Sequence, residues 1–298
     1  MTVRTEREER ILSAIAGDER AGLTDQETAA LWLPHRRADG HKGNFGKVLV
    51  IGGSVGYTGA PVLAARGAER TGAGLVTVMV PGEVYPIVAA RCESVMARPI
   101  LSVENALSFA RGCDAVLIGP GLGREPGAEE LALTLIRALD CPVVIDADGI
   151  NALSGHMNVL DARWGRTTIL TPHEGEFARL RGALSGEDRL QAARDFAQAH
   201  GCVLVLKGHN TVTASPDGRC WVNANGNSGM AKGGSGDVLG GMILALLGQG
   251  AAAESAAALA VYLHGRAGDL AAADKGEHGM IPGDLIGRIP YAIKELLT

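Results

Sequence analysis

Short apolar runs recur along the chain from residue 47 onward, and each is followed by glycine, proline or polar residues. The six clearest runs are KVLVIGG, LVTVMV, DAVLIGPG, PVVIDADG, TTILTPHE and CVLVLKG. Such runs predict strands that are buried on both faces of a sheet. Between them lie Ala- and Leu-rich segments with helical spacing, such as EELALTLIRALD and RLQAARDFAQAH. This alternation predicts an α/β fold, with a mostly parallel central sheet and helices on both faces.

Two regions depart from the alternation. The segment TVTASPDGRCWVN has two extended runs around a Pro-Asp-Gly turn, which predicts a hairpin at the edge of the sheet. After residue 235 the spacing is helical throughout, which predicts a C-terminal helical run. We expect residues 1–39 to form a helical N-terminal extension, in which Thr24 or Asp25 caps a helix, and residues 40–298 to form a single domain.

Composition narrows the class of protein. The 298 residues are 46% hydrophobic and 20% charged, which is a globular balance, and the chain is long enough for a sizeable core. The formal net charge is −5 and aromatic residues make up only 4%, so we expect no nucleic-acid partner. Glycine, at 42 residues, is clustered and not evenly spread, which indicates ligand-binding turns.

The cysteines and the hydropathy of the sequence indicate in which cellular compartment the protein occurs. The five cysteines are far apart and include no CxxC pair, so we expect buried free thiols in a reducing compartment. The N-terminal residues are highly charged and contain no apolar segment of a signal peptide. No run of about 18 uninterrupted apolar residues occurs. We therefore expect a cytoplasmic protein that has no membrane partner.

The predicted strands end in polar or glycine-rich signatures: GGSVGYTGA, GPGLG, DADGIN, TPHEGE and KGHNT. In an open parallel sheet ligands bind at the carboxyl ends of the strands, so these signatures predict one shared cleft. Taken singly, Asp146 and Asp148 could be turn formers, His173 a helix cap and Glu176 an acid of a first helical turn. Lys207 directly follows the run VLVL, and a lysine at a strand end that faces a cleft can neutralise phosphate.

Two known phosphate-binding motifs fail on this sequence. A Walker loop requires GxxxxGK[ST], but GHKGNFGKV has one residue too many and Val48 in place of Ser or Thr. The dinucleotide fingerprint GxGxxG fails at GPGLGR, because Arg124 stands at the third glycine position. Neither kind of site is expected.

The segment GGSGD, residues 233–237, remains as the anion-binding candidate. Its glycines let successive backbone N–H groups converge on an anion, and the apolar helix that follows adds a partial positive charge. By itself, Asp237 could be an acid favoured by the helix dipole. A carboxylate beside an anion site repels phosphate, however, and is useful there if it accepts a proton from a hydroxyl that attacks the phosphate. The glycine loop and Asp237 together favour a phosphoryl-transfer reaction.

The order of the motifs resembles one known family. HKGNFGKVLVIGGSVGYTGAPVLAARGAERTGAGLV, VIDADGINAL, TPHEGEFARL, VLKGHNTVTASPDG and NGNSGMAKGGSGDVLGG follow one another as in ADP/ATP-dependent NAD(P)H-hydrate dehydratases. These belong to the ribokinase-like superfamily, and the resemblance covers roughly residues 40–296. The resemblance does not extend to the epimerase domain that is fused to many bacterial members. The resemblance therefore implies a stand-alone dehydratase with a ribokinase-like fold and an epimerase partner on a separate chain.

The reaction that the resemblance implies is metabolite repair. NADH and NADPH that have been hydrated on the nicotinamide ring, together called NAD(P)HX, are phosphorylated on the new hydroxyl by ADP or ATP. Phosphate then leaves and NAD(P)H is restored. The family also implies Mg²⁺ as the companion of the nucleotide and a homotetramer as the common assembly.

The resemblance also assigns residues. Asp237 would be the catalytic base, and the stretch Gly233 to Gly236, with Gly234 and Gly236, would stabilise the transferred phosphoryl group. Substrate contacts would fall on Ala60, Gly123, His173 and Asp237. Nucleotide contacts would fall on Lys207, Gly208, His209, Asn210, Thr211 and Gly236. Glu176 would order Mg²⁺ through water, and Asp146 and Asn151 would shape the cleft.

One departure from the family and two alternatives remain open. Ser228 and Lys232 stand where members often carry Pro and Thr, which puts the nucleotide preference in doubt. A vitamin-precursor kinase of the same superfamily, acting on a hydroxyethylthiazole or a hydroxymethylpyrimidine, is the nearest alternative enzyme. A regulatory nucleotide-binding module is the alternative from another class, although it would have no need of Asp237. Sequence alone does not rank ADP against ATP or NADHX against NADPHX.

Overall fold

The computed structural model describes residues 5–182 and 188–298, and a single sheet runs through its centre. Ten strands are found in this described part: β1 (Ala21–Thr24), β2 (Lys47–Ile51), β3 (Leu75–Pro81), β4 (Met96–Ile100), β5 (Ala115–Ile118), β6 (Val143–Ile145), β7 (Thr168–Leu170), β8 (Val203–Leu206), β9 (Val212–Ala214) and β10 (Cys220–Asn223). Their spatial order is β1-β10-β9-β8-β7-β6-β5-β2-β3-β4. All neighbours are parallel except that β9 runs antiparallel to β8 and to β10. The predicted mostly parallel sheet is confirmed.

Helices cover both faces of this sheet. They are α1 (Glu6–Ala14), α2 (Gln26–Trp32), α3 (Gly59–Arg70), α4 (Tyr85–Ala89), α5 (Val103–Ala110), α6 (Pro126–Ala138), α7 (Asp148–Leu153), α8 (Met157–Asp161), α9 (Glu174–Arg181), α10 (Arg189–His200), α11 (Ser235–Gly248), α12 (Ala253–Gly279) and α13 (Pro282–Glu295). Short 3₁₀ turns occupy Lys42–Phe45 and Ser228–Met230. The predicted C-terminal helical run corresponds to α11, α12 and α13. None of the described helices has the length and apolar character that crossing a bilayer requires.

The six apolar runs are confirmed as β2, β3, β5, β6, β7 and β8, whereas β1 and β4 escaped the sequence pattern. Both are edge strands, and β4, with the sequence MARPI, is exposed or half-buried along its whole length. An edge strand can be short and partly polar because it packs on fewer neighbours. The hairpin of β9 and β10 is also confirmed, but its expected position at the edge of the sheet is wrong, because β1 pairs with β10.

The N-terminal segment 1–39 differs from the expected helical extension. It contains α1 and α2, but between them β1 joins the central sheet in register with Cys220 to Asn223. The helix cap is Asp25, whose Oδ1 accepts from the Thr28 N–H at 2.9 Å. The hydrogen-bond partners of β1 lie in β10, far along the chain, so the local sequence carries no signal for this strand. For this reason the sequence predicted only helices in this segment. The division of the chain at residue 39 stays a prediction.

Side chains alternate between two apolar cores, one on each face of the sheet. Val48 and Val50 point toward the face that is covered by α3, α11, α12 and α13. Leu49 and Ile51 point toward the opposite face, with α5, α6 and α10. This period of two is what strands buried on both faces require.

Helix α11 lies very close to α3, and glycine makes this possible. A Cβ atom added at Gly241 would lie 1.9 Å from the Ala64 carbonyl oxygen, and one at Gly67 would lie 2.6 Å from that of Val238. Both distances are far below van der Waals contact, so a larger residue at either position would push the helices apart. The close packing fixes the first turn of α11, which carries Asp237.

Candidate active site

The carboxyl ends of β6, β7 and β8 meet at one cavity of about 860 Å³. They contribute Asp146, His173 and Lys207, as the shared-cleft prediction requires. The first turn of α11 and the middle of α12 form the opposite walls. The volume lies within the range of small-molecule sites.

Lys207 bridges two carboxylates at the base of the cavity. Its Nζ donates to Asp146 Oδ1 at 2.9 Å and lies 3.7 Å from Glu176 Oε2. Burial by itself lowers the pKa of Lys207, but Asp146 and Glu176 outweigh this effect, so the pKa is raised above its ordinary value. Lys207 is therefore a firmly charged ammonium. Its Nζ would lie only 3.3 Å from a Cβ at Gly236, which places the charge directly against the glycine loop.

The glycine loop has the backbone shape of an anion cradle. Gly234 has a φ of +98° and precedes the first residue of α11. This conformation favours glycine, and a Cβ at this position, 2.6 Å from Leu63 Cδ1, would also displace the Leu63 side chain. The first turn of α11 lines the cavity, so the positive end of this helix faces it.

His264 supports the loop from α12, and sequence reasoning missed it. Its Nε2 donates to the Ser235 carbonyl oxygen at 2.9 Å. Burial lowers the pKa of His264 to about 4, so the imidazole is neutral. A single histidine within an Ala-rich helix gives no local signal of this role.

Asp237 is the most perturbed acid of the site. Burial, followed by the nearby Asp146 carboxylate, raises its pKa to about 7, although Lys207 acts in the opposite direction. A carboxyl group that titrates near neutral pH can accept a proton during a reaction and release it afterwards. The local sequence could not predict this raised pKa, because Asp146 and Lys207 come from the ends of β6 and β8, far from α11 in the chain.

His173 and Glu176 do what their simplest interpretations predict. His173 Nδ1 accepts from the Glu176 N–H at 3.2 Å, and Glu176 Oε2 accepts from the His173 N–H at 2.8 Å. The two residues thus form a capping box at the start of α9. His173 also lines the cavity, and Glu176, which is 5% exposed, lies behind it against Lys207.

The KGHNT segment, residues 207–211, runs along one wall. Lys207, Gly208, His209 and Thr211 line the cavity. Asn210 instead turns toward α1, with a φ of +57°, and its Oδ1 accepts from Arg7 Nε at 2.8 Å. Arg7 also lines the cavity.

The predicted substrate contacts Ala60 and Gly123 fall outside the lining of this cavity but lie close together. Each packs around the turn that follows β5: a Cβ at Gly121 would lie 3.1 Å from Ala60 Cβ, and Gly123 N–H donates to Asp148 Oδ2 at 2.9 Å. Asn151 Nδ2 also donates to Asp148, at 3.1 Å. This second cluster adjoins the cavity through Asp148, whose carboxylate also raises the pKa of Asp237.

Ser228 and Lys232, the two departures from the family pattern, bind the end of α12. Lys232 Nζ donates to the carbonyl oxygens of His278 and Met280 at 2.8 and 2.6 Å. Ser228 Oγ donates to the Glu277 carboxylate. Both side chains hold the loop against the segment that follows a break in α12 at Gly276.

The sequence of the chain is similar to sequences of known proteins. The family model described as NAD(P)H-hydrate dehydratase matches residues 48–291. A bifunctional NAD(P)H-hydrate repair enzyme from Moorella thermoacetica is 44% identical, over 89% of this chain and 52% of the relative. An ADP-dependent (S)-NAD(P)H-hydrate dehydratase from Neisseria meningitidis is 41% identical, over 90% of this chain and 91% of the relative. The chain thus spans about half the length of the bifunctional relative and most of the Neisseria protein.

A solved structure extends the likeness to three dimensions. It is an ADP/ATP-dependent NAD(P)H-hydrate dehydratase from Bacillus subtilis, co-crystallised with ATP and Mg²⁺. The two structures superpose with a TM-score of 0.80 at 33% identity, over 93% of this chain and 99% of the other. The ribokinase-like fold expected from the sequence is confirmed.

Proposed function

The chain belongs to the NAD(P)H-hydrate dehydratase family, and we propose that it restores NADH and NADPH from their hydrated forms with ADP or ATP as co-substrate. One observation carries the proposal. Asp237, a carboxyl group with a pKa of about 7, lies beside a glycine loop and a charged lysine in one cavity. Family membership favours this reaction over a vitamin-precursor kinase, and a base at this place argues against a purely regulatory module.

The reaction begins with phosphorylation of the ring hydroxyl. The hydroxyl oxygen attacks the terminal phosphorus of the nucleotide while Asp237 takes the hydroxyl proton, and the bond to the leaving ADP or AMP breaks. The hydroxyl, a poor leaving group, becomes a phosphate ester. The electron pair of the ring nitrogen then expels phosphate, and loss of one proton from the neighbouring carbon restores the dihydronicotinamide.

The chain offers positive charge where negative charge develops. Residues 233–236 of the glycine loop line the cavity at the positive end of α11. Lys207 holds its ammonium against Gly236. Fixed donors of this kind stabilise a transferring phosphoryl group without rearranging during the step.

We also propose Mg²⁺ as the companion of the nucleotide. The described residues contain no cluster of three or more His, Cys, Asp or Glu side chains arranged to hold a metal ion. Magnesium usually takes most of its ligands from phosphate and water. Three acids, Asp146, Glu176 and Asp237, lie around Lys207 and raise its pKa, so a divalent ion fits the charge at this end of the cavity. Glu176, already bonded to the His173 N–H, would reach such an ion through water.

We also propose a partner enzyme, a compartment and an assembly for this protein. An NAD(P)H-hydrate epimerase, the partner that the family resemblance implies, would supply the substrate epimer. All five cysteines are free thiols, which suits the reducing cytoplasm. A homotetramer, the assembly that the family resemblance implies, can be tested by light scattering during size-exclusion chromatography.

A direct assay tests the function. The purified protein is mixed with hydrated NADH or hydrated NADPH, and recovery of the absorbance band of the reduced nicotinamide is followed. We expect recovery only when Mg²⁺ and either ADP or ATP are present. No recovery with either nucleotide would contradict the proposal, and comparing the two rates ranks ADP against ATP.

A further inference from the structure

Helix α1 brings an arginine into the nucleotide side of the cavity. The helix is fixed at its start by a capping box of Thr5 and Glu8, and Ile11 packs into the core. From this helix Arg7 Nε donates to Asn210 Oδ1 at 2.8 Å, and Arg7 Nη1 donates to the Gly226 carbonyl oxygen at 2.9 Å. One guanidinium therefore joins the loop after β8 to the loop after β10.

Arg7 lies at the end of the cavity where the ribose and base of a bound nucleotide would be. In the proposed reaction the transferred phosphoryl group lies at Asp237, beside Gly236 and Lys207. The KGHNT segment leads from Lys207 along the wall to Asn210, which is bonded to Arg7. A nucleotide whose terminal phosphate lies at Asp237 therefore extends its ribose and base toward Arg7.

The guanidinium suits that part of the ligand chemically. It has five N–H donors, of which the two described bonds use two, and its planar face can stack on a purine. Nearby His209 adds no charge at neutral pH, because Arg7, followed by burial, lowers its pKa below the ordinary value. Arg7 is thus a rigidly held cation at this end of the cavity.

We propose that Arg7 is a nucleotide-binding residue that contacts the nucleoside part of ADP or ATP, so that α1 forms a wall of the nucleotide site. This inference rests on the proposed function only in taking an adenine nucleotide as the ligand. It gives the N-terminal segment a role in ligand binding that the motif pattern did not assign.

Calorimetric titration of the whole chain with ADP or ATP and Mg²⁺, without hydrated NADH, tests the proposal. Arg7→Met keeps the length and helix propensity of the side chain but removes its donors. We expect this variant to raise the Kd for ADP and for ATP by the same factor, roughly tenfold for hydrogen bonds from a charged group. Arg10→Met is the matched control, because Arg10 is 78% exposed and, among the described residues, its bonds go to Glu6 on its own helix. We expect its Kd values to equal those of the wild type.

Three results would overturn the proposal. The first is an unchanged Kd in Arg7→Met. The second is a much larger loss for ATP than for ADP, which would place the guanidinium on the terminal phosphate. The third is wild-type affinity in Arg7→Lys, which would show that charge alone suffices.

A measurement on the wild type avoids any effect of substitution on folding. We expect ADP to slow amide hydrogen exchange in α1, and unchanged exchange at saturating ADP would contradict a wall role. The two proposals can fail separately. Protein that binds ADP but restores no NADH contradicts the dehydratase function, whereas equal ADP binding by wild type and Arg7→Met contradicts only the role of Arg7.

Discussion

Lys207 Nζ donates to Asp146 Oδ1 across 2.9 Å, and this bond joins the ends of β8 and β6, two strands that are separated by β7 in the sheet. Asp146 is only 1% exposed, and the ammonium is the cation bonded to this buried side chain. The same ammonium lies against the glycine loop. A single lysine thus stabilises a buried acid and supplies charge to the anion site.

The variant Lys207→Met separates these two roles. Because it leaves the Asp146 carboxylate buried without a cation, we expect the free energy of unfolding to fall by about 3–5 kcal/mol. ADP affinity should fall as well. The double variant Asp146→Asn/Lys207→Met should recover most of the stability but not the affinity. Urea denaturation and calorimetry measure both, and a single variant as stable as the wild type would show that the pair is unimportant.

Removal of the base is the test of Asp237. In Asp237→Asn we expect kcat to fall by roughly 10²- to 10⁴-fold, as for loss of a general base, while the Kd for ADP stays the same or decreases because a negative charge is lost. Steady-state kinetics and titration calorimetry provide the two values. Comparable turnover in the variant would exclude Asp237 as the base.

The pKa of Asp237 predicts how activity depends on pH. The carboxylate is the active form, and its pKa is raised to about 7, so kcat/KM should rise about tenfold per pH unit below pH 7 and level off above it. A profile that is flat between pH 5 and pH 7 would be inconsistent with a base of this pKa.

The same pKa predicts how stability depends on pH. An unfolded Asp titrates near pH 3.9, so the folded protein holds this proton more tightly. The resulting stabilisation is complete below about pH 4 and is lost as the pH rises through about 7. In the absence of nucleotide, Asp237→Asn should therefore gain stability over the wild type as the pH rises from 4 to 8. Equal melting temperatures at pH 8 would contradict the raised pKa.

Gly233 and Gly234 allow a test variant to be compared with a control variant at the neighbouring position. In Gly234→Ala the new Cβ would meet Leu63 at 2.6 Å in a backbone with φ +98°, so we expect a loss of stability and of ADP binding. Gly233→Ala places its Cβ in open space, so we expect it to fold with wild-type stability. Thermal melting compares the two, and equal melting temperatures would mean that the loop adapts to a side chain.

Lys232→Thr tests the departure from the family pattern. The ammonium is engaged by the carbonyl oxygens of His278 and Met280, so we expect the ratio of ADP to ATP affinity to remain unchanged. Hydrogen exchange should become faster in residues 276–281, since the loop loses two bonds to this segment. A changed affinity ratio would show instead that Lys232 contacts the nucleotide phosphates.

The sequence by itself determined the central strands, the C-terminal helices and the glycine loop with its acid. Strands buried on both faces must be apolar along their whole length, and a helix that opens on GGSGD must expose its first N–H groups, so both features are local. The parallel order also brought Asp146, His173 and Lys207 to one edge, because the carboxyl ends of parallel strands meet there.

Only the tertiary structure decided which distant groups meet. Strand β1 exists because β10 offers it hydrogen-bond partners, and Arg7 and His264 reach the cavity from helices that carry no motif. The structure also separated Ala60 and Gly123 from the main cavity. The pKa of Asp237 depends on burial and on Asp146, which lies 91 residues earlier in the chain (237 − 146). Burial and long-range electrostatics are properties of packing, so no local pattern of residues could predict them.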